Sequence, residues 1–110
     1  MAKFRQVHTQ FWRDGDFVDL TPEDRYFFLY LLTNPQTTYC GIYSLPINII
    51  VADIGYNRET VLNLLGRMET YGKIKYNHET KEVFIPKWIH YNPLSHKGLL
   101  EGVKASLKEV

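Results

Sequence analysis

Two short helical patterns followed directly by a two-stranded hairpin occupy residues 46–88, and this order restricts the possible fold more than any other feature of the chain. The first pattern, residues 47–54, is apolar almost throughout and ends before Gly55, which is typical of a short buried helix. The second follows Asn57, a good N-cap, and ends at Gly72, a residue suited to a left-handed cap. Alternation over residues 73–76 and 82–85, with turn-forming residues between them, predicts a hairpin. Helix, turn, helix and hairpin together predict a winged helix-turn-helix.

The second helix, residues 57–72, separates apolar from polar side chains. At 100° per residue its apolar residues gather on one side: Val61, Leu62, Leu64, Leu65 and Met68. The opposite side is polar and holds Glu59, Thr60, Asn63, Gly66, Arg67 and Thr70. This polar side is a candidate surface for reading nucleic acid.

The segment before this stretch supplies a further helix and strand. Thr21 is a suitable N-cap and Pro22 a suitable first helical residue, and Asn34 and Pro35 end the helix. The helix is apolar almost all round, so we expect it at the centre of the core. A short strand at residues 41–45 is expected to pair with the hairpin and complete a three-stranded sheet. The expected fold class is α+β, with a three-helix core, a small antiparallel sheet and a C-terminal helix.

The two ends of the chain are open to more than one interpretation. Phe11, Trp12 and Phe17 either cover the edge of the core or form a docking patch for a partner. Pro86 and Trp88 predict an edge strand that leaves the sheet.

After a break at residues 91–93, apolar residues recur every four positions as Leu99, Val103 and Leu107, which predicts an amphipathic helix. This helix either packs on its own domain or mediates self-association. We therefore expect a winged-helix domain with an N-terminal extension at residues 1–92, and a helix or linker at residues 93–110.

Composition excludes several classes of function. A chain of 110 residues with 45% hydrophobic content can bury a core as a single domain. One cysteine, no signal peptide and no apolar run near 20 residues predict a cytoplasmic protein that does not contact the membrane. The four histidines are scattered, and no phosphate loop or nucleophile elbow is present. We expect no metal, no cofactor and no catalytic residue, and a domain that is not an enzyme.

Charge is distributed unevenly although the whole chain carries only +1. Residues 1–56 contain four Lys/Arg and six Asp/Glu, for −2, whereas residues 57–110 contain nine and six, for +3. The positive excess coincides with the second helix and the hairpin, which favours contact with nucleic acid there. Four glutamates dilute it, at positions 59, 69, 79 and 82.

These patterns predict a double-stranded DNA surface in which the helix 57–72 enters the major groove and the turn 77–81 touches flanking phosphates. The expected contact residues are Arg58, Thr60, Asn63, Arg67, Thr70, Lys73, Lys75, His78 and Lys81. Gly66 costs a helix about 1 kcal/mol relative to alanine, and close approach of DNA, close helix packing or plain tolerance would explain its presence. The alternatives are a protein-interaction or oligomerisation module and a transcriptional regulator, which share the same fold.

Four segments carry a family resemblance: Phe11–Asp14, Leu20–Pro35, Gly41–Tyr43 and Gly72–Ile74. Together they resemble the N-terminal winged-helix domain of DnaD-like replication initiation proteins of Gram-positive phages and prophages. The resemblance implies a role in replication initiation, within a primosome assembled at an origin. Its implied partners are duplex DNA, a helicase loader or other replisome protein, and further copies of the chain. In cellular relatives the corresponding domain is mainly an oligomerisation unit.

Overall fold

The computed structural model describes residues 5–91, without the side chains of Asp16, Ile89 and His90. Helices lie at Gly15–Val18 (α1), Pro22–Thr33 (α2), Ile47–Ile54 (α3), Arg58–Thr70 (α4) and Trp88–Tyr91 (α5), with a 3-10 helix at Thr9–Arg13. Strands lie at Ile42–Ser44 (β1), Lys75–Asn77 (β2) and Glu82–Phe84 (β3). This part of the chain is an α+β domain with three longer helices and a small antiparallel sheet, as predicted. The helix expected at 93–110, and with it the boundary at residue 92, lies outside the described residues.

Local capping determines where the longer helices begin and end. The Thr21 hydroxyl accepts a hydrogen bond from the Asp24 amide (3.2 Å), and the Asn57 side chain accepts one from the Thr60 amide (2.8 Å). Gly55 and Gly72 follow α3 and α4 with φ of 84° and 74°, in the left-handed region that favours glycine. The predicted caps are confirmed, and α4 ends two residues before Gly72.

The sheet has the strand order β1-β3-β2, and both pairings are antiparallel. Its register aligns Tyr43, Val83 and Tyr76, all buried, on the face that covers the helices. Residues 42, 84 and 75 are aligned on the opposite face, which is turned to solvent. The expected pairing of the first strand with the hairpin is therefore confirmed.

The core is built mainly from α2, α4 and the inner face of the sheet. Its fully buried side chains include Phe17, Phe27, Phe28, Leu31, Tyr43, Leu45, Ile50, Leu64, Leu65, Met68 and Trp88. The buried Tyr43 hydroxyl donates to the Leu31 carbonyl (2.6 Å) and accepts from the Asn34 amide (3.0 Å). Polar groups that are removed from water are thus hydrogen-bonded across α2 and β1.

The three aromatic residues near the N-terminus do not share one environment. Phe11 and Phe17 are buried, with ring centroids 4.0 Å apart, whereas Trp12 is 55% exposed. Phe11 and Phe17 therefore cover the core edge, and only Trp12 is placed where a partner protein can reach it.

Two further expectations are wrong. Leu62, expected on the core side of α4, is 37% exposed. It lies about 100° around the helix from Val61, outside the stripe formed by residues 61, 64, 65 and 68.

The edge strand expected around Pro86 and Trp88 is also absent, because β3 ends at Phe84 and Trp88 begins α5. Trp88 is buried against Gly41, where an added Cβ would lie 2.5 Å from the Trp88 Cβ. The preference of the indole for this core position overrides the local strand signal.

Candidate nucleic-acid interface

The outer side of α4 is polar and open. Glu59, Asn63, Gly66 and Thr70 are exposed on this side, Thr60 is half-buried, and Arg58 is exposed at the helix start. An alanine Cβ at Gly66 would have no neighbour within 4 Å. Close helix packing therefore does not explain this glycine within residues 5–91, which leaves plain tolerance or the approach of an external group.

Two polar side chains on this outer side differ in their engagement. The Thr70 hydroxyl donates to the Gly66 carbonyl one turn earlier (3.0 Å), a hydrogen bond that threonine commonly forms within a helix. Asn63 lies one turn before Gly66 on the same side of α4. Its side chain makes no hydrogen bond to another described residue. Its amide can therefore serve both as donor and as acceptor to an external group.

Arg67, predicted to contact DNA, is held by α2. Its Nε and Nη2 donate to Oδ1 of Asp24 at 3.0 and 2.7 Å, and Asp24 is fully buried. The Tyr71 hydroxyl donates to the other carboxylate oxygen (3.1 Å), and Glu23 lies 3.7 Å from Nη2. The hydrogen bonds to Asp24 raise the pKa of the Arg67 guanidinium, which is 42% exposed. Any contact between Arg67 and DNA must therefore be made while Asp24 remains bound.

Arg58 stands at the start of α4 and connects it to the start of α3. Its Nη1 lies 3.4 Å from Oδ1 of Asn48, in the first turn of α3. The N-termini of α3 and α4 thus lie near one exposed guanidinium, and both features favour an anion such as phosphate. The sequence patterns gave no role to Asn48, because nothing local indicates that the two helix starts meet.

The hairpin turn lies at the same end of the domain as these helix starts. The Tyr76 hydroxyl donates to the Leu45 carbonyl (2.8 Å), and the ring packs edge-to-face on His78 with centroids 4.9 Å apart. Burial raises the pKa of Tyr76, and the positive charge of nearby Arg58 opposes that rise. The Leu45 amide donates to the Lys81 carbonyl (2.8 Å), which ties the far side of the turn to the chain entering α3.

The turn itself is rigidly built. The Asn77 side-chain oxygen accepts hydrogen bonds from the amides of Glu79 (2.9 Å) and Thr80 (3.1 Å), forming an Asx turn. Lys81 has a φ of 60°, and its amide donates to the Asn77 carbonyl (2.7 Å). His78 and Lys81 are thereby presented to solvent at fixed positions.

The remaining two lysines of the predicted set lie elsewhere. Lys75 projects from the solvent-facing side of the sheet, in register with Ile42 and Phe84. Lys73 is half-buried beside a small hollow that Phe28 and Tyr71 also line. The structure thus places Arg58 and Lys81 at the end of the domain where α3 begins, with His78 in the same turn as Lys81. Thr60, Asn63 and Thr70 lie along α4, whereas Lys75 lines an open groove that His78 also lines.

One missed residue, Asp24, had a signal in the sequence. It shares the core-facing side of α2 with Phe27, Phe28 and Leu31, and a carboxylate at a core position requires a partner.

Within residues 5–91, no group of three or more His, Cys, Asp or Glu is placed to hold a metal ion. Over the same range, no helix has the length and apolar character needed to cross a membrane. No protein-family model, curated protein or solved structure matches the chain.

Proposed function

We propose that the domain is a winged helix that binds duplex DNA. In this proposal α3 and α4 form the helix-turn-helix, α4 enters the major groove, and the turn between β2 and β3 is a short wing. The order of the elements and the three-stranded sheet that joins the hairpin to β1 support the winged-helix assignment.

The open side of α4, bordered at one end by Arg58, His78 and Lys81, is the observation that carries the proposal. Arg58 and Lys81 suit backbone phosphates, and the unengaged Asn63 amide suits an adenine edge in the groove. Gly66 in the middle of this side permits close approach of the DNA, since no Cβ and no neighbouring residue intervene.

We further propose, from the resemblance to DnaD-like proteins, that the domain acts in phage-type replication initiation. Its role is binding rather than catalysis. A transcriptional regulator would use the same DNA surface, so the resemblance alone favours replication over transcription.

The direct test is fluorescence anisotropy of the full 110-residue chain with a labelled mixed-sequence duplex over a salt series. We expect binding whose affinity falls steeply with salt, because lysine and arginine release counterions from the phosphates. Arg58→Ala and Lys81→Ala should each lower the salt slope by about 1. Absence of binding at low salt contradicts the proposal.

Lys75→Ala is the matched control. It removes the same kind of charge as Lys81→Ala but on the outer face of the sheet, and we expect affinity to stay unchanged. An equal loss of affinity with Lys75→Ala would support the contact predicted from sequence and move the DNA surface onto the sheet.

A second candidate function is a protein-interaction module, and exposed Trp12 favours it. The indole packs edge-to-face on Phe17 (5.4 Å) and Phe11 (5.8 Å), which hold it in place while most of it stays in solvent. Rigidly presented tryptophans are frequent anchors of protein interfaces. Sedimentation of the wild type and of Trp12→Ser tests self-association: a concentration-dependent oligomer lost in the variant supports it, and a monomer at high concentration contradicts it.

A further inference from the structure

The solvent-facing side of the sheet carries an apolar centre. Antiparallel register places Ile42, Phe84 and Lys75 in one row across the three strands. Phe84 is 37% exposed and Ile42 is half-buried. These two apolar side chains are adjacent, and neither belongs to the DNA surface proposed above.

An open groove of about 830 Å³ crosses this face and continues past the edge of β2 to the end of α4. Ile42, Ile74, Val83, Phe84 and Pro86 supply its apolar lining. Its charged lining residues are Glu69, Glu79, Glu82 and Lys75. The charged lining of the groove is thus net −2, although the second half of the chain has a positive excess.

The carboxylates of the groove are available to an incoming group. Glu79 and Glu82 form no ion pair with another residue of the described range, and the side chain of neither is engaged in a hydrogen bond there. Glu69 accepts only a long contact from the Tyr76 amide, at 3.5 Å. Three acidic groups surrounding exposed apolar side chains repel DNA and favour a cationic protein surface.

We propose that this face docks a protein partner that presents an apolar side chain flanked by lysine or arginine. The apolar side chain covers Ile42 and Phe84, and the flanking cations pair with Glu69, Glu79 and Glu82. Complementary charge selects the partner, and removal of the apolar surface from water stabilises the complex. The groove adjoins the proposed DNA surface, because His78 and Glu79 of the wing also line it. Ile42, Glu82 and Phe84 lie outside that surface, and docking on them does not depend on DNA binding.

The test uses the full chain and a fluorescein-labelled peptide of alternating lysine and leucine. Two peptides of equal length serve as probe controls, one alternating glutamate with leucine and one alternating lysine with serine. We expect the lysine–leucine peptide to bind more tightly than both controls, and to shift backbone amide NMR signals of β1 and β3.

Protein variants locate the binding. Glu82→Lys and Phe84→Ser should each weaken the lysine–leucine peptide about tenfold, since one removes a carboxylate and the other the apolar centre. Glu59→Lys, which changes the net charge equally on the outer side of α4, should leave the affinity within about twofold. Both altered groove positions are exposed or half-buried, and thermal melts of each variant check that folding is retained.

Three results would overturn the proposal: no peptide binding at millimolar concentration, equal binding of the lysine–serine peptide, or an equal loss with Glu59→Lys. The same variants titrated with duplex DNA keep the two surfaces apart. Loss of peptide binding with unchanged DNA binding assigns the defect to the sheet face alone.

Discussion

Asp24 joins α2 to α4 through a fully buried carboxylate. Burying a charge is expensive unless it is paired and hydrogen-bonded. Arg67 and Tyr71 supply three donors to its two oxygens, so each oxygen has at least one partner. This cluster sets how the outer side of α4 is oriented relative to α2.

Removing Arg67 should therefore destabilise the domain. Arg67→Ala leaves the buried Asp24 carboxylate with Tyr71 as its remaining partner. We expect a loss of about 2 kcal/mol in unfolding free energy, less than for a wholly buried ion pair because Arg67 is partly solvated. Urea denaturation measures it. Arg58→Ala, an exposed control, should change stability by less than about 0.5 kcal/mol, and equal effects of the two substitutions would argue against a structural role for Arg67.

Gly41 is required by both its backbone and its surroundings. It has a φ of 78°, and an added Cβ would lie 2.5 Å from Cβ and 2.7 Å from Cγ of Trp88. Gly41→Ala should cost about 3 kcal/mol, from left-handed strain plus overpacking.

Gly55→Ala separates backbone strain from overpacking. Gly55 has a φ of 84°, similar to that of Gly41, but open space surrounds it. We expect the substitution to cost about 1 kcal/mol by thermal or urea denaturation. Equal losses at the two glycines would show that the contact with Trp88 is not the limiting factor.

At the residue scale, local chemistry was predictable and long-range pairing was not. Thr21, Asn57 and Gly72 cap helices through contacts with residues only three or four positions away. Both partners of such a contact can be read from a short stretch of sequence. Arg67 and Asp24 are separated by 43 positions, and their contact depends on how α4 packs across α2. A polar residue on a helix therefore looks like a free contact until that packing is known.

At the scale of elements, α4 contains a glycine in its interior, Gly66, which lowers the helix propensity and is not required by packing in the described domain. Gly66 is exposed and surrounded by open space. Gly66→Ala should raise the unfolding free energy by about 1 kcal/mol, because alanine is the better helix former.

The same substitution should weaken duplex binding, since a methyl group enters the side of α4 proposed to face the groove. Urea denaturation and anisotropy of Gly66→Ala are measured together. Lower stability would contradict the open surroundings of Gly66, and unchanged DNA affinity would contradict close approach at this point.

Helices were more accurately predicted than strands. Capping residues determine helix ends directly, whereas each strand here has three residues and is defined by its partners. The hairpin was found from its turn residues, but its first strand begins at Lys75 rather than at residue 73. The strand expected at Pro86 and Trp88 is absent because the chain leaves the sheet after Phe84 and buries Trp88 in the core.

At the scale of the whole molecule, charge is sorted by surface rather than by sequence position. Arg58 and Lys81 lie at the end of the domain where α3 begins, whereas the groove across the outer sheet face carries Glu69, Glu79 and Glu82 beside Lys75 and His78. Both surfaces include residues of the same hairpin, which explains why net charge along the chain shows only a modest positive excess. The division into surfaces could not be predicted, because it depends on which way each strand residue faces.

The stability of the whole domain should fall in alkaline solution. Burial raises the pKa of Tyr43. Two effects raise the pKa of Tyr30: burial, which is the larger, and the hydrogen bond that its hydroxyl donates to Asp53. The folded domain therefore keeps phenolic protons that the unfolded chain releases above about pH 10. Their contribution is complete below that pH and is lost as the pH rises further.

Urea midpoints at pH about 8 and about 10.5 check this expectation. The midpoint of the wild type should decrease, and Tyr30→Phe, which has one fewer raised phenol, should decrease less. An equal or larger decrease in Tyr30→Phe would exclude Tyr30 as a source of the alkaline sensitivity.

The most direct test of the DNA proposal is NMR mapping of backbone amide shifts in the full chain as duplex DNA is added. We predict shifts concentrated along the outer side of Arg58–Thr70, at the start of α3, and in the turn at residues 78–81. The outer sheet face, including Phe84, should change little. Absence of shifts at saturating DNA, or shifts confined to the sheet face, would contradict binding through α4 and the wing.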